Sequence, residues 1–361
     1  MVMRGVQATI MDGVNRKRSS PGGVISSQED QIVSRIVRAL ARRGGSRRFR
    51  IGPGDDAAVL LPARAGVEQV ITCDAFLENV HFLANVHSAE TAGYKALARA
   101  TSDLAAMGAA PEWFLLSLAL PANRTGAWLD EFLRGMARAA RRFRLALAGG
   151  DTSQNATVAV SITVCGSVPR GDAILRSTAR PGDKIFVSGR LGAAQLGLEL
   201  VLRGMYRNGK WKPLLATHLE PPVRLELGRW LASRRLASAM MDLSDGLSLD
   251  LARLCAASGV GARIDAQRVP SVRVPASLAE HGFALTKDTS ASFRATELAL
   301  HGGDDYELLF TVPPRLAAKI PRSHRGVPLT EIGVITRPRG IILASPSGDA
   351  PLTPRAWDHF R

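Results

Sequence analysis

Apolar residues recur at helical spacing at Ile32, Val33, Ile36, Val37 and Leu40, behind the capping pair Ser26 and Glu29, and predict an amphipathic helix closed by Gly44-Gly45. Short apolar runs predict strands at 57–61 and 67–73. Each is tied to aspartate: Asp55-Asp56 follow the turn Gly52-Pro53-Gly54, and Asp74 ends the second run. An Ala-rich helix over 88–107 stops at Gly108 and carries Asp103 in its last turns, where the helix dipole disfavours an acid. Strands at 113–120 and 157–168, a helix at 128–143 and a short strand at 145–148 running into Gly149-Gly150-Asp151 complete a first half.

Pro169-Arg170-Gly171-Asp172 reads as a junction, after which the alternation resumes. A strand at 184–188, a Gly-rich turn at Gly189 and Gly192, a helix to about Arg203 and a helix at 223–232 are expected first. Met240-Met241 then enters the turn Asp242-Leu243-Ser244-Asp245-Gly246, with a helix over 247–257 behind it. A strand at 262–265, a helix at 289–300, a strand at 306–312 and strands within 328–344 follow. The expectation is an α+β chain of two domains, 26–168 and 169–361, behind a basic extension at 1–25.

At 361 residues and 46% hydrophobic, the chain has material for substantial cores, and it holds no apolar run long enough to span a bilayer. The first residues contain Arg16-Lys17-Arg18 and lack the apolar middle of a signal peptide, so they read as a disordered extension of a cytoplasmic protein. Cys73, Cys165 and Cys255 lie far apart in apolar contexts, suggesting neither a disulfide framework nor a zinc site. Of the net charge of +15, +8 falls within residues 1–50, and only seven of the 47 basic residues are Lys. No finger, zipper or aromatic-rich RNA signature accompanies it, so the charge reads as an Arg-rich solvated face rather than a specific nucleic-acid site.

Aspartate beside glycine, or at the end of an apolar run, occurs at Asp55-Asp56, Asp74, Asp103, Asp151, Asp242-Asp245 and Asp304-Asp305. Any one of these could be a turn residue bonding its own backbone, and Ser244 or Asp245 would be a competent helix cap. Acids in six separate places point instead to one shared cluster holding a hard cation such as Mg²⁺ together with substrate phosphates.

Set side by side, the loops resemble the thiamine-monophosphate kinase family of the aminoimidazole-ribonucleotide synthetase-like superfamily. The matching stretches are Gly-Pro-Gly-Asp-Asp-Ala-Ala (52–58), Cys-Asp with Val-His-Phe (73–82), Tyr-Lys-Ala-Leu-Ala-Arg-Ala-Thr-Ser-Asp-Leu-Ala-Ala-Met-Gly-Ala (94–109), Gly-Gly-Asp-Thr (149–152), Met-Asp-Leu-Ser-Asp-Gly-Leu (241–247), Gly-Gly-Asp-Asp-Tyr-Glu-Leu (302–308) and Trp-Asp-His-Phe (357–360). The resemblance covers the chain from about Ser26 onward. It implies an ATP- and Mg²⁺-dependent phosphorylation of thiamine monophosphate in a homodimer whose interface belongs to the N-terminal domain, with the C-terminal domain completing the substrate site. It also implies that Asp56, Thr72, Asp74, Asp103 and Asp242 hold several magnesium ions, with Asp151 and Asp245 as further ligands. Gly150, Asp151, Arg176 and Ser244 would meet ATP, and His81, Asp304 and Trp357 the thiamine substrate. Cys73 stands where the family has Thr or Ser, leaving its backbone carbonyl as the metal contact, and Asp304 stands where the family has Glu. A sister synthetase acting on another phosphoryl acceptor would keep the same acids, and a non-catalytic polyanion-binding protein would keep the fold.

Overall fold

A computed structural model describes residues 28–40, 49–51, 59–60, 65–281 and 291–355. The N-terminal half consists of α1 (Gln28–Leu40), β1 (Phe49–Ile51), β2 (Val59–Leu60), β3 (Val67–Leu77), α2 (Ala89–Ala106), β4 (Ala110–Leu120), α3 (Ala127–Phe143), β5 (Ala146–Gln154) and β6 (Ala159–Pro169). Four of its strands form a sheet in the order β3-β6-β4-β5. One face is covered by α2 and α3 over a core that includes Tyr94, Leu97, Phe114, Phe132 and Ile162.

The C-terminal half runs β7 (Lys184–Ser188), α4 (Ala193–Leu202), α5 (Lys212–Leu219), α6 (Leu225–Ser233), β8 (Ala239–Asp242), α7 (Leu247–Ser258), β9 (Gly261–Asp265) and α8 (Ala291–His301). It ends with β10 (Leu308–Val312), α9 (Pro314–Ala317), β11 (Ser323–His324), β12 (Val327–Thr336), β13 (Gly340–Ser345) and β14 (Gly348–Pro351). Its sheet has the order β14-β13-β9-β12-β7-β10-β8, with β11 on β12. Both faces are buried, which explains the unbroken apolar run Leu308-Leu309-Phe310 in β10. Leu309 joins a core with α7, while Leu308 and Phe310 join another with α6.

Helix α2 belongs to both halves. Ala105 and Ala106, at its end, pack with Leu227, Leu231 and Ala232 of α6. The approach is so close that a Cβ on Gly228 would lie 2.0 Å from the Ala105 carbonyl oxygen. Alanine and glycine here let two backbones touch, and the side chains of α2 are thereby fixed against the C-terminal half.

Several expectations shift. β3 continues to Leu77 because it pairs with β6 over its whole length, so Asp74 lies within a strand and not at its end. β5 likewise runs through Gly149-Gly150-Asp151, paired with β4, where a turn was expected. The pattern missed α5, and it took the four buried residues of β8 for the lead-in to a turn. No helix among the described residues is long and apolar enough to cross a membrane.

Candidate active site

A cavity of about 760 Å³ opens between the two halves, with β3 and α2 on one wall and the β8–α7 and α8–β10 loops on the other. The period-2 alternation of β3 turns Thr72, Asp74 and Phe76 inward and Ile71, Cys73 and Ala75 outward. From α2, Lys95, Arg99 and Asp103 share one face because they stand four residues apart. The Thr72 hydroxyl donates to Asp103, joining strand to helix.

The acids sense one another. Burial raises the Asp74 carboxyl above the ordinary range, and the charge of Asp103 adds to that against the opposing field of Arg99. Asp242, at the end of β8 and buried, is pushed up to about 8, first by burial and then by Asp103. Three elements distant in sequence thus bring uncompensated carboxyls together. The turn after β8 is held from within α7. Asp250 accepts the amides of Asp245 and Gly246, each at 3.0 Å, and Arg253 pairs with both Asp245 and Asp250. The alternative in which Ser244 or Asp245 caps α7 does not hold: Gly246 occupies the cap position without a side-chain bond, and Ser244 and Asp245 line the cavity.

The second acidic doublet splits. Asp304 faces the cavity and accepts Lys95 Nζ on one oxygen and the Tyr306 hydroxyl on the other, both at 2.9 Å. Burial would raise its pKa, but Lys95 and Arg99 together hold it far below the usual carboxylate range. Asp305 turns the other way and accepts the Gly192 and Ala194 amides at the start of α4. Glu307 pairs with Arg224. His81 lies at the cavity rim, its Nδ1 accepting the Leu77 amide at 2.9 Å.

Residues 54–168 match the family model described as AIR synthase related protein, N-terminal domain, and residues 180–344 match its C-terminal domain. The thiamine-monophosphate kinase of Escherichia coli K12 is 37% identical over 335 residues, covering 91% of this chain and 97% of that protein. The chain belongs to the thiamine-monophosphate kinase family. The crystal structure of the thiamine-monophosphate kinase from Stenotrophomonas maltophilia K279a superposes with a TM-score of 0.72 at 35% identity, covering 87% of this chain and 94% of that one. A second structure, AaThiL complexed with AMPPCP and TMP, superposes with a TM-score of 0.70 at 31% identity, covering 83% and 89%. The fold is the two-domain α+β fold of AIR synthase.

Within this family member, the expected site residues fall into three groups. Asp74, His81, Asp103, Asp242, Ser244, Asp245 and Asp304 line the cavity, and Thr72 adjoins it through Asp103. The Cys73 thiol lies on the outer face, 3.4 Å from the Ser161 hydroxyl, because it is one residue out of phase with Asp74, which agrees with leaving any contact to its backbone carbonyl. Gly150 and Asp151 sit on β5, at the far edge of the sheet from β3, and do not line the cavity. Gly150 is required there by packing, since a Cβ would lie 1.8 Å from the Leu116 carbonyl oxygen. Arg176 is exposed in a turn, its carbonyl accepting the Ser258 hydroxyl, and it too is absent from the cavity wall. Asp56 and Trp357 lie outside the described residues, as do the 1–25 extension and the Gly52-Pro53-Gly54 turn. Sequence reasoning passed over Lys95, Arg99 and Tyr306. The signal was there, as a four-residue spacing with Asp103 for the first two.

Proposed function

We propose that this chain transfers the γ-phosphoryl group of ATP to thiamine monophosphate, yielding thiamine diphosphate and ADP, in the cavity between its halves. The observation that carries the reading is the meeting of Asp74, Asp103 and Asp242 beside Lys95 and Arg99 of α2, in a fold whose relative AaThiL has been captured with AMPPCP and TMP. Burial and the charge of Asp103 raise the pKa values of Asp74 and Asp242, which a bound cation would relieve, and the cationic side chains beside them suit a phosphate.

Magnesium fits this donor set. Among the described residues no three acids, imidazoles or thiolates converge closely enough to hold a metal by themselves. Mg²⁺ is usually held by one or two carboxylates plus substrate phosphates rather than by an all-protein cage. Asp74, Asp103 and Asp242 would hold it, joined by Asp56, Asp245, the Thr72 hydroxyl and the Cys73 carbonyl as the family resemblance implies; Asp151, which the resemblance also offers, lies on β5 away from these acids. Bound there, it would neutralise phosphate charge in the transfer.

The chain's own residues bind and orient. The acceptor is a phosphate monoester with a second pKa of about 6, hence largely dianionic at neutral pH, so no general base has to create the nucleophile. No side chain is assigned as nucleophile or base. Ser244, Asp245, His81 and Asp304 around the cavity would set donor and acceptor in line; the resemblance further assigns Gly150, Asp151 and Arg176, which lie off this cavity, to ATP, and Trp357 to thiamine. The division into 26–168 and 169–361 is part of this reading, as is a cytoplasmic place of work.

Purified protein should convert thiamine monophosphate to the diphosphate only with ATP and a divalent cation, with free thiamine a poor acceptor because its hydroxyl has no base to activate it. Coupled measurement of ADP release on both acceptors tests this, and faster turnover of thiamine would overturn it.

The reading includes a homodimer formed through the outer face of the four-stranded sheet. Ile71 and Leu115 are exposed there, at 62% and 37%, beside Cys73 and Ser161, and no element of the described chain covers them. An exposed apolar sheet face of this kind is the type of surface that a two-fold contact buries. Ile71→Glu together with Leu115→Glu should shift the mass measured by light scattering from dimer to monomer. An unchanged mass for the double variant would place the contact elsewhere.

A further inference from the structure

Among the described residues the cavity wall carries three arginines, and two of them are paired, Arg294 with Glu199 and Arg355 with Glu297. Lys95 Nζ is bound to Asp304, and Arg253 is bound to Asp245 and Asp250. Arg99 differs: its Nε is buried with no hydrogen-bond partner, and no hydrogen bond or ion pair joins its guanidinium to a described residue. The carboxylate that could have taken it, Asp304, already has both oxygens engaged by Lys95 and Tyr306. What holds Arg99 in place is the Phe76 ring, 5.7 Å from the guanidinium carbon to the ring centroid, and the combined negative field of Asp304, Asp74 and Asp245.

A guanidinium offers five donors in a rigid fork that matches a phosphate in two places at once. Leaving such donors unpaired at a partly buried wall costs free energy that a bound oxyanion would recover. The surroundings select the oxyanion. Arg99 lies against the Phe76 ring and lines the same cavity as His81, Asp304 and Tyr306, which suits an anion carried on a flat organic body.

We propose that Arg99 receives the phosphate of the acceptor monoester and makes the enzyme prefer a phosphorylated acceptor to the corresponding alcohol. This rests on the phosphoryl-transfer reading above and adds to it the residue that selects the acceptor. Asp304 then acts one step back: by occupying Lys95 and Tyr306, and by holding no bond to Arg99, it leaves the fork free.

The test compares the wild-type protein with Arg99→Met and Arg99→Lys, in steady-state kinetics and in calorimetric titration of the nucleotide-free protein with thiamine monophosphate and with thiamine. Arg99→Met should raise KM for thiamine monophosphate roughly 10- to 100-fold, the range expected for charge-assisted bonds to one phosphate. KM for ATP should stay within about twofold. The titration should show the wild type preferring the monophosphate and Arg99→Met binding both ligands alike, with Arg99→Lys between them because it keeps the charge and loses the fork. Should Arg99→Met fail to fold, the Arg99→Lys comparison carries the same reading. A rise in the ATP KM as large as that for the acceptor, or a retained preference for the monophosphate in Arg99→Met, would overturn the assignment. A wild-type protein that binds the monophosphate preferentially yet does not phosphorylate it would count against the kinase reading and leave Arg99 as a phosphate receptor.

Discussion

Asp242→Asn should lose activity by a factor of ~10² to 10³, equivalent to roughly 3 to 4 kcal/mol of transition-state stabilisation, while the metal-free protein becomes no less stable. The two halves of this expectation have one cause. Asp242 is buried among acids and its pKa is pushed up to about 8, so at neutral pH without a cation it is mostly protonated and asparagine is nearly its copy. Charge is needed only when a cation and phosphates arrive, and asparagine cannot supply it. The pH dependence follows with a definite sign. The folded-state pKa lies above the unfolded value, so the folded protein keeps a proton that the unfolded chain releases, and wild-type stability falls as pH rises from about 4 to 8. Asp242→Asn lacks that slope and should gain on the wild type across the window. Urea unfolding in chelator at pH 5, 7 and 9, beside initial rates with Mg²⁺ and ATP, checks both. A variant keeping more than about a tenth of the wild-type rate would remove Asp242 from the cation site.

Asp304→Asn should be the more damaging change for folding, at about 3 to 5 kcal/mol, because it strips a fully buried ammonium of its carboxylate. Lys95→Met should cost less, roughly 1 to 3 kcal/mol, since Asp304 keeps the Tyr306 hydroxyl and the field of Arg99 and retains some contact with solvent. Burial already lowers the Lys95 pKa, and losing Asp304 lowers it further. In Asp304→Asn the folded state therefore sheds its lysine proton at a lower pH than the unfolded chain does, and stability should climb with pH below about 10. The double variant Lys95→Met/Asp304→Asn should recover much of the loss. Equal damage from the two single variants would show that Arg99 does not compensate Asp304.

The repeated aspartates were legible because acids at the ends of apolar runs have few places to go, and Asp74, Asp103, Asp242 and Asp304 do line one cavity. The Ala-rich composition of α2 announced its burial between two layers. Other features depended on partners that sequence does not name. β3 and β5 ran past their expected ends because the neighbouring strand, not local propensity, decides how far pairing extends. Asp250 took over the turn that Ser244 or Asp245 could have capped, since three candidate acceptors stood within about two helical turns and only tertiary packing chose among them. The phase of Cys73 was there to be read, one residue from an inward Asp74. For Arg99 the spacing of four residues from Asp103 gave its face, but what marks it is the lack of a bond, which sequence does not show.

The shared helix sets a limit on how this sequence can diverge. α2 is wedged against the sheet of one half and, through Ala105 and Gly228, against a helix of the other, while its free face presents Lys95, Arg99 and Asp103. Inserting or deleting a single residue would rotate everything beyond it by about 100°, turning Asp103 from the cavity and driving a different side chain into the Gly228 contact. Substitutions can accumulate along α2, but changes of length cannot, and such changes are left to the loops that leave it. Its register is inherited as a block, and three charged residues with two packing surfaces travel together in it.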